Sequence, residues 1–542
     1  MFSMSSELIM PENSGLRRRK IPPVAVAALI SALFFIFGIF TLDDFGITWD
    51  EPVHFASGDL YLDKILDRDQ PVTFTDSDFE GSMQYYGPVF DIWGALNHRL
   101  LTENLGLLAE DNARHLHLLL TSALTVFFTY LLVQRAISTR VAVFAVLFLT
   151  AFPRFIGHSF NNPKDIPLTF IFVITIYLFY LRLTTGKKRF SLLLMIAGGV
   201  GFATRIQYFL VPVVIISYII VYICINYKTR QSILYYFISF WDLPCVIILS
   251  FSAGMLFWPY LWTDPLLKLR NLLEFYLYHR TQARLLIRYC GSDYVPGLNL
   301  PWHYAPVMLA ITTPLITLGN FLFGCVCVFM SWIKARVKRT ETPAVRYFYL
   351  LLLLWIVIGI LPFILPGQRV YGGIRHFLFI TPVVCVIAGI GLDRLTTIME
   401  RKIKRWSYLV ISLIFLLLFI SVYSYHPYYT VYYNSLVGGP KGAYNRFSLE
   451  NWGNAYKGPC RWLNKNSPRG ARVLALVAPH IPRYYLRPDI RLLGPEYANK
   501  SGVGYDYSVY ILRNEDLLLL KDRRPVFSLT IKGQPICNVH RW

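Results

Sequence analysis

The chain has 542 residues, 55% hydrophobic, 16% aromatic and only 16% charged, with a formal net charge of +21 and a mean hydropathy of +0.44. Soluble chains carry roughly 25% charge, so a water-soluble multidomain enzyme is excluded, as are disorder, coiled coil and collagen. A polytopic α-helical membrane protein remains.

Runs of about 20 mostly apolar residues, the length of a spanning helix, begin near Ile21, Leu116, Val141, Ile166, Phe190, Ile206, Ile233, Ala305, Tyr347, Phe377 and Trp406. They predict about eleven transmembrane helices. The Arg17-Arg18-Arg19-Lys20 run before the first resembles a signal-peptide start. The apolar stretch 21–42 is long enough to span, however, and reads as a retained helix. Lys and Arg accumulate on the cytoplasmic side. Six short segments (17–20, 135–140, 182–189, 228–230, 334–346 and 394–405) hold 22 of them. This sets residues 1–20 as a cytoplasmic N-terminus, 21–425 as the membrane domain and 426–542 as an extracytoplasmic domain. Between the basic clusters at 187–189 and 228–230 the chain must cross an even number of times, so two short spans with a hairpin near Thr204-Arg205 are expected. Gly198, Gly199 and Gly201 in the first of these allow close helix packing.

The first outer loop, residues 43–114, holds 15 of the 32 carboxylates against four basic residues; the tail holds 17 basic residues against seven acidic ones. The net charge is therefore topology signal plus a basic outer domain beside an acidic outer loop. With no Walker A, dinucleotide glycine fingerprint or recognition helix, nucleic acid is not an expected partner.

In the first outer loop the chain reads Gly46-Ile-Thr-Trp-Asp50-Glu51-Pro-Val-His54. Adjacent carboxylates at a membrane surface can supply a base, with the second orienting a substrate; they can equally solvate the loop and cap the helix starting at Pro52. From His54 to Arg68 the spacing places Phe55, Leu62, Ile65 and Leu66 on one face of an interfacial helix. Gln84-Tyr85-Tyr86-Gly87-Pro88 follows as an aromatic turn. The second outer loop, 153–167, is short and polar for its depth, with Asn162, Lys164 and Asp165. Such groups are costly there and often functional, or else cap the next helix. Before the tenth predicted helix stands Gly372-Gly373-Ile-Arg375-His376. A guanidinium beside a helix N-terminus suits a phosphate; the alternative is an arginine snorkelling to headgroups. Arg205 could meet a phosphate or a headgroup and stays open. His115 and His117 point different ways on a helix and cannot share a metal. The eight cysteines show neither a disulfide framework nor zinc spacing; Cys460 and Cys537 both lie in the outer tail, where a disulfide is chemically permitted. In that tail 472–477, 508–512, 526–531 and 535–540 read as strands, the last two joined by a Lys532-Gly533 hairpin turn, giving a small mixed α/β domain.

Taken in order, Trp-Asp50-Glu51 after the first helix, Tyr86-Gly-Pro88, Asn162-Pro-Lys-Asp165 and Gly-Gly-Ile-Arg375-His376 resemble the GT-C glycosyltransferases of the dolichyl-phosphate-mannose–protein mannosyltransferase type (glycosyltransferase family 39), with bacterial relatives such as the aminoarabinose transferases. Trp302-His-Tyr-Ala-Pro306 with Thr313-Pro314 is similar to a Tyr-Tyr-Pro…Thr-Pro segment of those relatives. Asn451-Trp452-Gly453-Asn454 looks like their Asp-Trp-Gly-Gln junction, with two asparagines as departures. The resemblance spans about residues 21–463. It implies a GT-C fold, a polyprenyl-phosphate-sugar donor as co-substrate, and an acceptor hydroxyl on protein, lipid or glycan at the outer face of a bacterial inner membrane. By position it implies Asp50 as the catalytic base with Glu51 beside it. It implies His54, Tyr86, Asn162, Lys164, Asp165, Arg375 and His376 around the substrate. No metal pattern and no cofactor beyond the donor are evident. A transporter or lipid-sugar flippase is the rival; such folds show internal repeats around a midplane site, and no half-to-half similarity is visible here.

Overall fold

A computed structural model describes residues 22–67, 82–226, 242–278, 286–337, 343–450, 452–498, 504–512 and 524–542. The N-terminal segment with Arg17–Lys20, the 228–230 basic cluster, the start of the span near Ile233, and Asn451 lie outside these. Eight described helices are long and apolar enough to cross a membrane. Three further segments of the expected set take other forms. Thr139–Thr150 and Pro153–Asn161 form one pair bent by 64°, Arg189–Phe202 is apolar but short, and Asp242–Leu256 begins at the edge of the described residues. The count of eleven is thus not matched by eleven full-length helices. The bend sits at Pro153, which cannot donate to the preceding turn. Residues 153–161, read from sequence as loop, are therefore helix, and wholly buried.

The bundle is organised on the most buried of the candidate spans, Thr381–Ile403 with the Arg375–Ile380 turn before it. Thr139–Thr150 and Leu315–Val337 both pack along it. The first helix, Pro23–Thr41, starts on Pro22-Pro23, whose fixed φ suits a first helical turn, and packs on Glu110–Ala136. Pro314 breaks the apolar run expected from Ala305 into Tyr304–Thr312 and Leu315–Val337. The glycines of Arg189–Phe202 do permit close packing: a Cβ on Gly198 would stand 2.3 Å from Ser250 Oγ, and one on Gly199 2.8 Å from Ala253 Cβ.

The first outer loop holds helix Glu51–Leu66 packed on Val89–His98. Its buried face is Glu51, His54, Ser57, Gly58, Tyr61 and Leu62. Of the stripe expected to face the interface, Leu62 is buried and Ile65 and Leu66 are exposed; burial within the chain follows the partner helix. The strands are β1 (Ile287–Tyr289), β2 (Ser292–Tyr294), β3 (Arg472–Ala475), β4 (Arg491–Leu493), β5 (Tyr507–Ile511), β6 (Phe527–Ile531) and β7 (Gln534–Arg541). The hairpin β1–β2 was not anticipated. The tail sheet has the order β4-β3-β5-β7-β6, with β3 parallel to β4 and β5 and β7 antiparallel to β5 and β6. Lys532 and Gly533 both take positive φ, 50° and 72°, the backbone that a tight hairpin turn requires. Cys460 and Cys537 are buried free thiols, so the disulfide permitted by their compartment is not formed.

The acidic loop and the basic tail meet directly. The Trp49 amide donates to the Trp452 carbonyl at 2.6 Å. Lys457 Nζ reaches Asp111 Oδ2 at 2.9 Å and Asp43 Oδ1 at 3.2 Å, and Arg461 bonds Asp43 at 2.7 Å.

Candidate active site

A cavity of about 270 Å³ opens where the first outer loop, the 162–165 turn, the 205–207 turn and the segment before Thr381 converge. Asp50 closes one side. It is the residue before helix Glu51–Leu66, and its carboxylate is about a quarter exposed while Oδ2 accepts from Arg375 Nη1 at 2.9 Å. Gly372 and Gly373, at φ 67° and 73°, make the tight turn that delivers Arg375. A side chain at Gly372 would stand 3.0 Å from Arg375 Cδ. The guanidinium is buried and lies 4.4 Å from the Tyr371 ring and 4.1 Å from the Trp452 ring. Stacking of this kind holds a planar cation in orientation without using its in-plane donors.

Glu51 goes elsewhere. Its Oε2 accepts from the Thr48 amide at 2.6 Å and the Thr48 hydroxyl at 3.0 Å, and its Oε1 lies 2.8 Å from His115 Nε2. Fully buried and absent from the cavity wall, it pins the loop to helix Glu110–Ala136. The adjacent acids therefore point in different directions, as successive helical residues must. His54 lies one turn beyond Asp50 and lines the cavity. Its Nδ1 is 3.2 Å from Asp91 Oδ2, the oxygen that also accepts from Lys164 Nζ at 2.9 Å. Lys164 donates a further bond to the Gly87 carbonyl at 2.9 Å. Burial pushes the Asp91 carboxyl up, but Lys164 and His54 outweigh it and hold the group below the usual carboxylate range. Burial drives the Lys164 ammonium down, with Asp91 opposing.

Asn162 builds the turn that follows. Its Oδ1 accepts from the Asp165 amide at 2.9 Å and the Lys164 amide at 3.3 Å, while its Nδ2 donates to Asp165 Oδ2 at 2.8 Å. Asp165 also pairs with Arg205, whose Nε donates to Gln207 Oε1 at 2.8 Å. Tyr86 lines the cavity, and burial, with Tyr371 adding to it, pushes its phenol up to about 12. It is a hydrogen-bond donor at any ordinary pH. His376 is buried behind Tyr371, 4.6 Å between ring centres.

Eight of the nine residues singled out from sequence thus line one cavity, and Glu51 is the exception. The cavity also takes in Arg205, which the sequence left open between a phosphate and a headgroup, and Arg369, Tyr371 and Trp452, which it did not single out as site residues. Asp91, behind Lys164, was missed as well. Its only signal was an acid on the apolar side of the Val89–His98 stretch. Among the described residues, and by formal charge, the wall carries four cations (Lys164, Arg205, Arg369, Arg375) against two carboxylates (Asp50, Asp165). That surplus of positive charge beside a partly exposed carboxylate fits a substrate bearing a phosphate. Among the described residues no cluster of three or more His, Cys, Asp or Glu is placed to hold a metal ion.

Residues 107–251 match the family model described as dolichyl-phosphate-mannose-protein mannosyltransferase. A search of curated proteins finds no match. Among solved structures, the chain is similar to ArnT from Cupriavidus metallidurans in the apo state, with a TM-score of 0.51 and 14% identity over 95% of this chain and 98% of that one. It is also similar to that protein bound to undecaprenyl phosphate (TM-score 0.49, 14% identity, 95% and 97% covered). A third likeness is to the oligosaccharyltransferase of Archaeoglobus fulgidus in complex with zinc and sulfate (TM-score 0.49, 14% identity, 90% and 68% covered). The first of these carries the fold.

Proposed function

From the premise that this integral membrane chain has the GT-C fold of membrane glycosyltransferases, we propose that it transfers a sugar from a polyprenyl-phosphate donor to an acceptor hydroxyl at the outer face of the membrane. The observation that carries this reading is the Asp50–Arg375 pair at 2.9 Å on the wall of a cavity rich in cations. The donor's phosphate, arriving at Arg375, competes with Asp50 for the guanidinium and frees the carboxylate. Asp50 then takes the proton of the acceptor hydroxyl as its oxygen bonds to the anomeric carbon. The bond from that carbon to the phosphate oxygen breaks, inverting the centre, and the polyprenyl phosphate leaves with the electron pair. Arg375 and Lys164 stabilise the charge on the departing phosphate; fixed charges aimed at developing charge commonly contribute more to such catalysis than any other single effect. Asn162 and Asp165 hold Lys164 and Arg205 in position. No nucleotide is needed, since the lipid phosphate already activates the sugar.

The test uses the full chain in nanodiscs with a panel of polyprenyl-phosphate monosaccharides and an envelope extract as acceptor, following free polyprenyl phosphate by mass spectrometry. One donor should be consumed, and the deletion strain should accumulate the same lipid. If no donor turns over and the lipid pools of the deletion strain are unchanged, the transferase reading fails.

A further inference from the structure

A second cavity, of about 450 Å³, lies between the outer ends of helices Leu315–Val337 and Trp406–Tyr423 and the start of the tail. It shares no lining residue with the transfer cavity. Its membrane side is apolar, formed by Leu315, Leu417 and Leu418; its outer rim carries Lys441 and Lys532, and among the described residues no acid lines it. The two lysines come from distant segments. Lys441 follows the Gly438-Gly439 turn, and its ammonium packs so close to the β6–β7 turn that a Cβ on Gly533 would stand 2.9 Å from Nζ. Lys532, in that same turn, lies 5.7 Å from the Tyr425 ring. Among the described residues neither lysine forms an ion pair. The first turn of helix Leu315–Val337 and the last turns of helix Trp406–Tyr423 both line the cavity, so their opposite dipole ends offset one another and the two lysines set its charge. Further along the same helices Leu322 and Leu413 are exposed apolar residues.

Two ammonium groups gathered over an apolar groove, with no carboxylate among the described residues lining it, match an amphiphile with an anionic head. We propose that this cavity binds an anionic glycerophospholipid of the surrounding leaflet, its phosphate between Lys441 and Lys532 and its acyl chains descending between the two helices. The phosphate then bridges the membrane junction to the β6–β7 hairpin and fastens the tail sheet onto the bundle. The separation of this cavity from the transfer site argues against the spent carrier lipid as occupant.

Native mass spectrometry of the full chain in neutral detergent tests this with dioleoylphosphatidylglycerol and dioleoylphosphatidylcholine as probes. A basic residue at an anionic lipid surface is worth about fivefold in affinity, so two predict a preference of about 25-fold for phosphatidylglycerol. The K441Q/K532Q variant should lose that preference, K441R/K532R should keep it, and both should retain transfer activity. Equal retention of the two lipids, or a preference that survives K441Q/K532Q, overturns the proposal. Undecaprenyl phosphate displacing phosphatidylglycerol at equal concentration overturns it in favour of the carrier. Displacement by inorganic phosphate at that concentration overturns it in favour of a simple anion site.

Discussion

Asp91 accepts from Lys164 at 2.9 Å and sits 3.2 Å from His54, and the three side chains are almost wholly buried (0%, 7% and 8% exposed). Asp91→Leu therefore strands a buried ammonium, with only the Gly87 carbonyl still bonded to it. Breaking a buried ion pair in this way costs about 3–5 kcal/mol, against a total stability that for folded domains is only about 5–15 kcal/mol. Removing both charges, as in D91L/K164M, avoids the stranded charge and should recover most of that loss. The assay is unfolding of the purified full-length protein in detergent, followed by tryptophan fluorescence. The expected order puts D91L lowest, with D91L/K164M close to wild type in stability yet unable to transfer sugar, because Lys164 lines the cavity. Were D91L within about 0.5 kcal/mol of wild type, the range of ordinary surface substitutions, Asp91 would not be holding Lys164. A double variant no more stable than D91L would refute the reasoning equally.

Asp50→Asn should behave in the opposite manner. Loss of a general base costs about 10²–10⁴-fold in rate, while the asparagine oxygen can still accept from the buried Arg375 guanidinium, so donor turnover should collapse with the unfolding transition moved far less than in D91L. Trp452→Leu removes one face of the Arg375 stack, worth about 0.5–2 kcal/mol. It should raise KM for the donor more than it lowers kcat, read from initial rates at varied donor. The pH dependence follows from Asp91, whose folded pKa is depressed. Its stabilisation is present above about pH 4, the unfolded carboxyl value, and is lost as pH falls through the folded one. Wild type should therefore lose stability on acidification below about pH 4 more steeply than D91L/K164M, in unfolding curves recorded between pH 3 and pH 7.

The membrane spans were legible because long apolar runs and flanking basic clusters are one-dimensional signals, and the tail strands because β-branched runs and a Lys-Gly turn are local. The site was legible where polar groups interrupt apolar sequence, as at Asp50, Asn162-Pro-Lys-Asp165 and Arg375. The directions of side chains were not. Asp50 and Glu51 are neighbours, and only the packing of Thr48 and His115 around Glu51 decides which of them faces the cavity. The same holds for helix Glu51–Leu66, whose buried side is set by Val89–His98. Asp91 escaped for a related reason: its meaning lies in Lys164, 73 positions away.

The charge asymmetry between the first outer loop and the tail also changes meaning once the two are in contact. From sequence alone, a basic tail invites an acidic partner, a headgroup or simply solvent. Part of that charge is satisfied within the chain, by Lys457 and Arg461 on Asp43 and Asp111. These pairs act at the hinge between Phe45 and Asp50, because Lys457 Nζ also bonds the Phe45 carbonyl at 3.1 Å and Trp452 accepts from the Trp49 amide. Trp452 in turn covers the Arg375 guanidinium that meets Asp50. The tail is thus a wall of the candidate site, and Asp50 and Arg375 are fixed by a segment much further along the chain. A chain truncated before Glu450 would keep every predicted membrane helix, yet it would lose the ring that orients Arg375 and the bond that fixes the backbone at Trp49.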